Sequence, residues 1–351
     1  MKNLFIMHTQ YNIISAVAVL KKDYQEEQND LIVVSEFPIA EEYVNKLRRL
    51  FRHVWVAQFG FDSTQGVQKL RALLAKYKRC SEPRKERYDR VITAQEQYLD
   101  TLLVSQLKSN NPRLEWQSVE EDAYYSLGTV KPRTPYIRHL VKTGYYHVLL
   151  PLIFGKNFLY EELPCYGANS HIDKIYLTYP QFARPEIKCT RRIELNTPEI
   201  QQAVKTIYGT TNICLEKNSV LFFSDLSDRY RNRRAIETLV TSLAVLSEQQ
   251  GRRFYIKYHP REKSKITGVS ADGELPASLP AELLLAGNIG KNITIIGNQS
   301  TAVFLAKKMG YQTFSFARME NPDDIDESVR FYEKIGIKCI TNFNEVKESL
   351  R

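Results

Sequence analysis

Short apolar runs alternate with longer amphipathic segments through the first 120 residues. Runs with the length and composition of buried strands lie at Leu4–Met7, Leu31–Val34, Val54–Val56, Arg90–Thr93 and Leu114–Val119. Segments with apolar side chains at helical spacing separate them, at residues 11–22, 41–51, 67–74 and 96–107. Strands that alternate with helices of about ten residues or more predict crossover connections and a parallel sheet.

The alternation breaks between residues 130 and 200, where seven prolines are spread along the chain, and then resumes. A helix is expected within this interval, around residues 137–154. Further strands are predicted at Val220–Phe223, Phe254–Tyr258, Ile293–Ile296, Thr313–Phe316 and Cys339–Ile340. Helices are predicted between them, at Ala235–Gln249 and in a segment that ends at Met309.

The pattern predicts an α/β fold with two Rossmann-like, doubly wound domains that face a central cleft. The first domain is expected at residues 1–180 and the second at residues 181–351. The proline-containing segment Thr178–Pro198 is interpreted as the connection between them. The last helix is expected either to stay with the second domain or to pack back on the first.

Composition and targeting signals favour a soluble, cytoplasmic protein. Hydrophobic residues make up 43% of the 351 residues and charged residues 25%, and no apolar stretch reaches the ~18 residues of a membrane span. Met1–Leu20 has neither a basic n-region nor a small-residue cleavage site, so we do not interpret it as a signal peptide. The five cysteines have no CxxC or zinc-like spacing and are interpreted as free thiols.

Two basic clusters account for part of the net charge of +9. The stretch from Lys69 to Arg90 holds nine basic residues, and Arg229, Arg231, Arg233 and Arg234 form a second cluster. Such clusters attract nucleic acid, anionic lipid or acidic polysaccharide, although each can also be an ordinary solvated helix face. The charge therefore predicts an acidic partner, or a peripheral association with the inner face of the membrane, without identifying the partner.

Polar residues with chemical potential follow three of the predicted strands. They are Glu121–Asp122, His259–Pro260 and Ser300–Thr301. Ligands of parallel sheets bind beyond the carboxyl ends of strands, so these groups are candidates for one site. Each pair alone has an ordinary explanation, as a solvated acidic loop, a structural histidine and a helix N-cap.

Taken together, the three motifs resemble those of the bacterial GT-B sialyltransferases, of the lipooligosaccharide sialyltransferase and capsular polysialyltransferase type. Those enzymes carry an acidic motif, an HP motif and a Ser-Ser/Thr motif in the same order. The segment Leu279–Leu283 is similar to the stretch that approaches the nucleotide ribose, and the opening Leu4–Gln10 is similar to the family's first strand and loop. The chain departs from the pattern at Ala123, where the family has glycine, and at Gln299.

The resemblance implies an inverting glycosyltransferase that moves sialic acid from CMP-sialic acid to a hydroxyl of a cell-surface glycan, such as a lipooligosaccharide or capsular polysaccharide. Asp122 or Glu121 would be the general base, and the change at Ala123 leaves both possible. His259 would protonate the leaving phosphate or hydrogen-bond to it. The other residues implied on the donor side are Ser300, Thr301, Glu282, Pro260 and Lys257, and those of the first loop are Thr9 and Gln10.

No metal or other cofactor is expected, because a nucleoside monophosphate can leave without a metal ion. No nucleic-acid partner is expected either. The D-x-D pattern Asp324–Asp326 is interpreted as the acidic start of a helix rather than as a metal site. Two alternatives stay open: a GT-B transferase for another nucleotide sugar, such as CMP-Kdo, and a non-catalytic protein that binds acidic polysaccharide. The sequence also leaves open whether the enzyme adds one sugar or polymerises.

Overall fold

A computed structural model describes most of the chain as two parallel α/β units. The described residues are 1–35, 41–58, 67–96, 98–121, 144, 148, 151–152, 159, 161, 163–209, 213–226, 230–260, 262, 264–266, 273–320 and 327–350. The described residues up to Ala203 form the first unit, and those from Val204 onward form the second. Asp122, the D-x-D pattern and nearly all of the helix expected around residues 137–154 lie outside the described residues.

The first unit is a seven-stranded sheet in which every described pairing is parallel. Its strands are β1 (Lys2–Met7), β2 (Gln28–Ser35), β3 (His53–Gln58), β4 (Arg90–Thr93), β5 (Glu115–Val119), β6 (Lys174–Leu177) and β7 (Arg192–Glu194). Its helices are α1 (Gln10–Asp23), α2 (Glu41–Leu47), α3 (Val67–Arg79), α4 (Tyr98–Asn110) and α5 (Thr197–Tyr208), of which α5 continues into the second unit.

The strand order of the first sheet is β3-β2-β1-β4-β5-β6-β7. The chain therefore builds outward from β1 to β3 and then returns to the other side of β1 with β4. Such a reversal opens a crevice at the carboxyl ends of the two strands that flank it, here β1 and β4. The core below this edge is apolar, and its largest fully buried side chain, Trp116, donates an indole hydrogen bond to Thr93 Oγ1 at 3.0 Å.

The second unit is a six-stranded parallel sheet with the order β10-β9-β8-β11-β12-β13. Its strands are β8 (Val220–Phe223), β9 (Phe254–Lys257), β10 (Gly273–Leu275), β11 (Thr294–Gly297), β12 (Gln312–Ser315) and β13 (Lys338–Cys339). Its further helices are α6 (Arg233–Gln249), α7 (Ala281–Gly287), α8 (Thr301–Lys308), α9 (Ala317–Glu320), α10 (Glu327–Lys334) and α11 (Phe343–Leu350). The order reverses between β8 and β11, which places the crevice of this sheet at their carboxyl ends.

The segment Thr178–Pro198 is not a simple connection, and the division between the units falls after Ala203 rather than after residue 180. Within this segment β7 pairs with β6 in parallel, with Ile175 opposite Arg192. The main chain holds the pairing at its end, where the Leu195 amide donates to the Leu177 carbonyl at 3.0 Å. The hydrophobic pattern does not predict this strand, because Arg192–Glu194 is a short edge strand with one apolar residue.

The last helix, α11, packs in the second unit. Its buried residues Val346 and Leu350 belong to the same apolar core as Phe222 and Ile296. The alternative of packing on the first domain is therefore not needed to bury this helix. None of the described helices has the length and the apolar character needed to cross a bilayer.

Candidate active-site edges of the two sheets

Polar side chains gather at the carboxyl edge of the first sheet. The edge is formed by the adjacent strands β1, β4 and β5, which are followed by His8, Gln95 and Glu120 respectively. Because parallel strands end at the same edge, residues far apart in sequence meet here. The arrangement follows from the strand order, since β1 separates β4 from β2 and so brings the loops after β1 and β4 together.

The two described residues of the acidic run after β5, Glu120 and Glu121, are buried, which excludes a solvated loop at these two positions. Glu121 is 9% exposed, its Oε1 accepts a hydrogen bond from Gln95 Nε2 at 2.9 Å, and its carbonyl accepts from Asn12 Nδ2 at 2.9 Å. Glu120 is also buried and accepts from the Thr178 amide at 2.6 Å. These contacts fix the chain directly before Asp122, whose own role stays a prediction.

Thr9 and Gln10 form the start of α1 at this edge. Thr9 is the N-cap: its hydroxyl accepts from the Asn12 amide at 3.2 Å, and Asn12 Oδ1 accepts from the Thr9 amide at 3.0 Å. This reciprocal pair satisfies two amides that a helix start leaves open. Gln10 is exposed as the first helical residue. The first loop is thus held by two hydrogen bonds at Thr9, and Gln10 is exposed to solvent.

An imidazole and two carboxyl groups that the motif comparison missed also lie at this edge. His8 Nε2 and Asp100 Oδ1 are 2.8 Å apart, and the Asp100 side chain is fully buried. Glu96 is buried and accepts from the Gly167 amide. Burial raises the pKa of Glu96 to about 8, the nearby Asp100 adds to this rise, and the amides of Gly167 and Asn169 oppose it. The available signal was positional, since His8 and Glu96 stand just after predicted strands.

The crevice of the second sheet holds the Ser300–Thr301 motif. Ser300 follows β11 and caps α8: its Oγ accepts from the Val303 amide at 3.3 Å. Its carbonyl accepts from the Tyr332 hydroxyl at 2.9 Å. Thr301 is the first residue of the helix. The ordinary explanation of Ser300 as an N-cap is therefore observed, and it leaves the helix start at the position where parallel sheets bind anions.

Gly297 allows the main chain to pass closely beneath this helix start. A Cβ at Gly297 would lie 2.6 Å from Val303 Cγ2, 3.3 Å from Phe223 Cβ and 3.4 Å from the Phe223 carbonyl oxygen. Both neighbouring side chains are buried, so neither moves freely. The glycine therefore sets the spacing between the ends of β8 and β11 and the start of α8.

We expect Gly297→Ala to lower the free energy of unfolding by about 1–3 kcal/mol, the usual cost of overpacking a core. In the double variant Gly297→Ala/Val303→Ala the closest atom, Val303 Cγ2, is absent. The double variant should therefore lose less stability than the sum of the two single variants. Urea unfolding of the four proteins measures the coupling, and strict additivity would contradict the close packing described above.

Lys257 and Glu282 form an electrostatic pair beside the same edge. Lys257 ends β9, is 5% exposed, and donates to the carbonyls of Tyr258 at 3.4 Å and Ala277 at 3.3 Å. Glu282 lies partly buried in the first turn of α7. Burial lowers the pKa of Lys257 and raises the pKa of Glu282, while the attraction between them opposes both shifts. The attraction between Lys257 and Glu282 therefore favours the charged form of each group, whereas burial opposes it. A polar ligand could contact either group.

His259 and Pro260 continue from β9 into a turn. The His259 carbonyl accepts from the Glu262 amide at 2.9 Å, with Pro260 at the second position of the turn, where its fixed φ is favourable. His259 is partly exposed and Pro260 is exposed. Since β9 and β11 both flank β8, the structure brings His259, Lys257 and Ser300 to one edge of one sheet. The predicted groove with Asp122 stays a prediction, because Asp122 lies outside the described residues.

Within the described part of the chain, no group of three or more histidine, cysteine, aspartate or glutamate side chains is arranged to hold a metal ion.

The whole chain is similar in structure to solved UDP-GlcNAc 2-epimerases. The enzyme from Methanocaldococcus jannaschii in complex with UDP-GlcNAc and UDP superposes with a TM-score of 0.56 at 11% identity, covering 100% of this chain and 92% of that chain. The Neisseria meningitidis enzyme bound to UDP-GlcNAc gives 0.52 at 12% identity, covering 99% and 90%. The S. aureus MnaA–UDP structure gives 0.54 at 11% identity, covering 99% and 87%. No protein-family model and no curated protein matches the sequence.

These likenesses show the fold and nothing finer, because all identities are far below 25%. The prediction of a GT-B fold with two Rossmann-like parallel-sheet domains is confirmed. The two epimerases named above are not sialyltransferases, so the choice of sugar and nucleotide depends on the site residues.

Proposed function

We propose that the protein is a nucleotide-sugar-dependent glycosyltransferase that moves sialic acid from CMP-sialic acid to a glycan hydroxyl. The observation that carries this proposal is the meeting of His259, Lys257 and Ser300 at the carboxyl edge of the second sheet. The three residues belong to motifs that resemble the donor side of bacterial sialyltransferases. In support of a nucleotide sugar in general, the structurally similar proteins named above are bound to UDP-GlcNAc or UDP.

The chemistry of the donor side follows from charge development on the leaving phosphate. As the bond from the anomeric carbon to phosphate oxygen breaks, its electron pair passes to CMP. The imidazole of His259 stabilises or protonates that oxygen, and the amides at the start of α8 with Ser300 and Thr301 bind the same group. Glu282, in the first turn of α7, holds the ribose hydroxyls. Burial raises the pKa of this carboxyl group, and the attraction of Lys257 opposes that rise. Pro260 aims the chain that carries His259.

The acceptor side belongs to the first unit. A base there removes the proton of the attacking hydroxyl, and a single displacement inverts the anomeric configuration. The resemblance provides Asp122 and Glu121 as candidates. The Glu121 carboxylate is already held by Gln95 Nε2 at 2.9 Å. Thr9 and Gln10 come after His8 at the carboxyl end of β1, where Thr9 caps α1 and Gln10 begins it.

Epimerisation of a UDP-sugar is the second candidate. The buried carboxyl groups at the edge of the first sheet, Glu96, Asp100, Glu120 and Glu121, provide the acids and bases that proton transfer at carbon requires. The two similar structures named above with bound UDP-GlcNAc are UDP-GlcNAc 2-epimerases. A transferase and an epimerase differ in the fate of the nucleotide, which is released in the first case and stays bonded to the sugar in the overall epimerase reaction.

A donor screen separates these functions. Purified protein is incubated with CMP-N-acetylneuraminic acid, CMP-Kdo and UDP-GlcNAc, each with and without lactose as a hydroxyl acceptor. We expect CMP release from CMP-N-acetylneuraminic acid, accelerated by lactose. CMP release from CMP-Kdo alone would show that the transferred sugar is Kdo and not sialic acid. Formation of the 2-epimer of UDP-GlcNAc without nucleotide release would establish epimerisation, the second candidate. Binding of polysialic acid without turnover of any donor would favour a non-catalytic polysaccharide-binding protein.

The basic stretch from Lys69 to Arg90 contributes a smaller charged surface than the sequence predicts. Arg90 lies at the amino end of β4 and pairs with Glu27 at 2.7 Å and Glu115 at 3.3 Å, so it stabilises the sheet. Arg84 stacks on the Tyr77 ring, with its guanidinium carbon 3.7 Å from the ring centroid. Among the side chains of this stretch that the structure describes, the exposed basic ones that can meet an acidic acceptor or a membrane surface are Arg71, Lys78, Arg79, Lys85 and Arg87.

We expect reversal of Arg71, Lys78 and Lys85 to glutamate to weaken the use of an acidic acceptor at low salt. The loss should shrink at physiological ionic strength, where exposed charges are screened over about 8 Å. The measurement is the KM for a sialylated oligosaccharide at several salt concentrations. Reversal of the exposed Lys188, Lys205 and Lys217 changes the net charge equally and is the control. Equal effects of the two triple variants would assign the change to net charge alone.

A further inference from the structure

One imidazole–carboxylate pair lies directly at the crevice of the first sheet. His8 follows β1, and Asp100 lies in the first turn of α4, after β4. Their Nε2 and Oδ1 atoms are 2.8 Å apart, which is a short charge-assisted hydrogen bond. The two strands that precede them are the pair between which the strand order reverses. The pair therefore stands at the position where a ligand of this sheet would bind.

The surroundings of the pair direct Asp100 toward the imidazole. The Asp100 side chain is fully buried, and in the described part of the chain its Oδ2 has no hydrogen-bond partner. Its observed partner at Oδ1 is His8, whose own side chain is 14% exposed. A buried carboxylate that accepts Nε2–H fixes the tautomer of a neutral imidazole and leaves the lone pair on Nδ1. Within the described residues, no hydrogen bond occupies His8 Nδ1.

We infer that His8 is the acceptor-side general base and that Asp100 is its positioning residue. This inference rests on the proposed transferase function and replaces Asp122 or Glu121 in that role. His8 combines partial exposure with an open nitrogen, whereas Glu121 is buried and its Oε1 accepts a hydrogen bond from Gln95. Imidazole is also suited to take up and release a proton near neutral pH.

The proposed step balances as a single displacement. The acceptor hydroxyl oxygen forms the bond to the anomeric carbon while its proton passes to His8 Nδ1. The bond from that carbon to the CMP phosphate oxygen breaks, and its electron pair leaves with CMP. Asp100 stabilises the imidazolium that forms on His8, and the proton is then released to solvent.

The test compares wild type, His8→Gln and Asp100→Asn in CMP release from CMP-N-acetylneuraminic acid with lactose. Glutamine can still donate to Asp100 but cannot accept a proton. We expect His8→Gln to lower kcat by roughly 10²–10⁴-fold, the usual contribution of a positioned base. Asp100→Asn should lower kcat by between about 10- and 10⁴-fold, as for a carboxylate that orients a catalytic imidazole. The Kd for CMP should stay within about twofold in both, because the base faces the acceptor.

The first sheet contains a matched control pair at its opposite edge. His53 Nδ1 lies 3.2 Å from the buried Asp30 Oδ1, at the amino end of β3. His53→Gln changes the same residue type beside the same kind of buried carboxylate, and it should leave kcat unchanged. Equal losses in His8→Gln and His53→Gln would assign both to structure and overturn the inference.

A spectroscopic measurement tests Asp100 independently of turnover. Histidine-selective ¹⁵N labelling gives signals for six histidines, and the signal lost in His8→Gln is that of His8. We expect neutral His8 to carry its proton on Nε2 in wild type and to lose this preference in Asp100→Asn. A proton on Nδ1 in wild type would overturn the assignment of the base.

The outcomes separate the inference from the proposed function. Normal turnover by His8→Gln together with loss in Asp122→Asn or Glu121→Gln would return the role of base to the acidic run and leave the transferase intact. If wild type turns over no CMP-sugar, the proposed function fails and the inference fails with it.

Discussion

Replacement of His259 by alanine is expected to lower both turnover and CMP affinity. The imidazole faces the leaving phosphate in the proposed reaction, so it contributes to the transition state and, more weakly, to the bound nucleotide. Removal of one preorganised donor to a developing oxyanion usually lowers kcat by about 10²–10³-fold. Loss of a hydrogen bond to a charged group costs about 1.5–3 kcal/mol, which corresponds to a roughly 10- to 100-fold weaker Kd for CMP.

The measurements are kcat with CMP-N-acetylneuraminic acid and the Kd of CMP by calorimetry. His171→Ala is the control, since His171 is an exposed histidine beside Glu161 in the first unit. This variant should retain both values. Unchanged CMP affinity in His259→Ala would show that the imidazole does not contact the leaving phosphate. The HP motif would then have only its structural role in the turn. The direction of the two effects also separates His259 from His8, whose replacement should change kcat alone.

Most strands of the two sheets were predictable because they are short apolar runs in the sequence. In β1 every residue from Leu4 to Met7 is buried, and in β8 all four residues are buried. Strands covered on both faces by helices need such runs. The helices between them could be found from spacing: α6 buries Ile236, Leu239, Val240 and Leu243 on one face. The edge strands β7 and β10 were missed because both are short and partly polar.

The candidate site was predictable only where a residue follows a strand end. From that rule we predicted that Glu121, His259 and Ser300 lie at the carboxyl ends of strands. In the structure they lie at the carboxyl edges of the two sheets. The partners of these residues were not predictable, because hydrogen bonds between distant loops depend on strand order. Gln95 reaches Glu121 at 2.9 Å only because β4 lies beside β5. The same adjacency of β1 and β4 brings His8 to Asp100.

Glu96→Gln is expected to remove a pH dependence of stability between about pH 4.5 and pH 8. Burial raises the pKa of Glu96 to about 8, compared with 4.5 for an ordinary glutamate. Between these values the folded protein keeps the proton on Glu96, whereas the unfolded chain releases it. The unfolded state then binds fewer protons, so the free energy of unfolding falls as pH rises, by at most about 1.4 kcal/mol for each pH unit. Below pH 4.5 both states are protonated, and above about pH 8 both are ionised.

Glutamine reproduces the neutral form at every pH. Its carbonyl oxygen can accept the hydrogen bond from the Gly167 amide that the Glu96 carboxyl accepts. The variant should therefore match wild type near pH 4.5 and become progressively more stable than wild type as pH approaches 8. Groups that do not interact with residue 96 titrate equally in the two proteins. The difference between their free energies of unfolding therefore isolates residue 96 and its interaction with Asp100.

The measurement is urea unfolding of both proteins at half-unit steps from pH 4.5 to 8.5. Glu86→Gln is the control of opposite sign, because the hydrogen bond from Lys2 lowers the pKa of the exposed Glu86. Stability from a lowered carboxyl pKa is present above the unfolded value and lost as pH falls, so the Glu86→Gln difference should be flat across the tested range. A flat difference for Glu96→Gln as well would show that Glu96 is ionised in the folded protein. The Gly167 and Asn169 amides would then stabilise a buried charge beside Asp100 instead of accommodating a neutral acid.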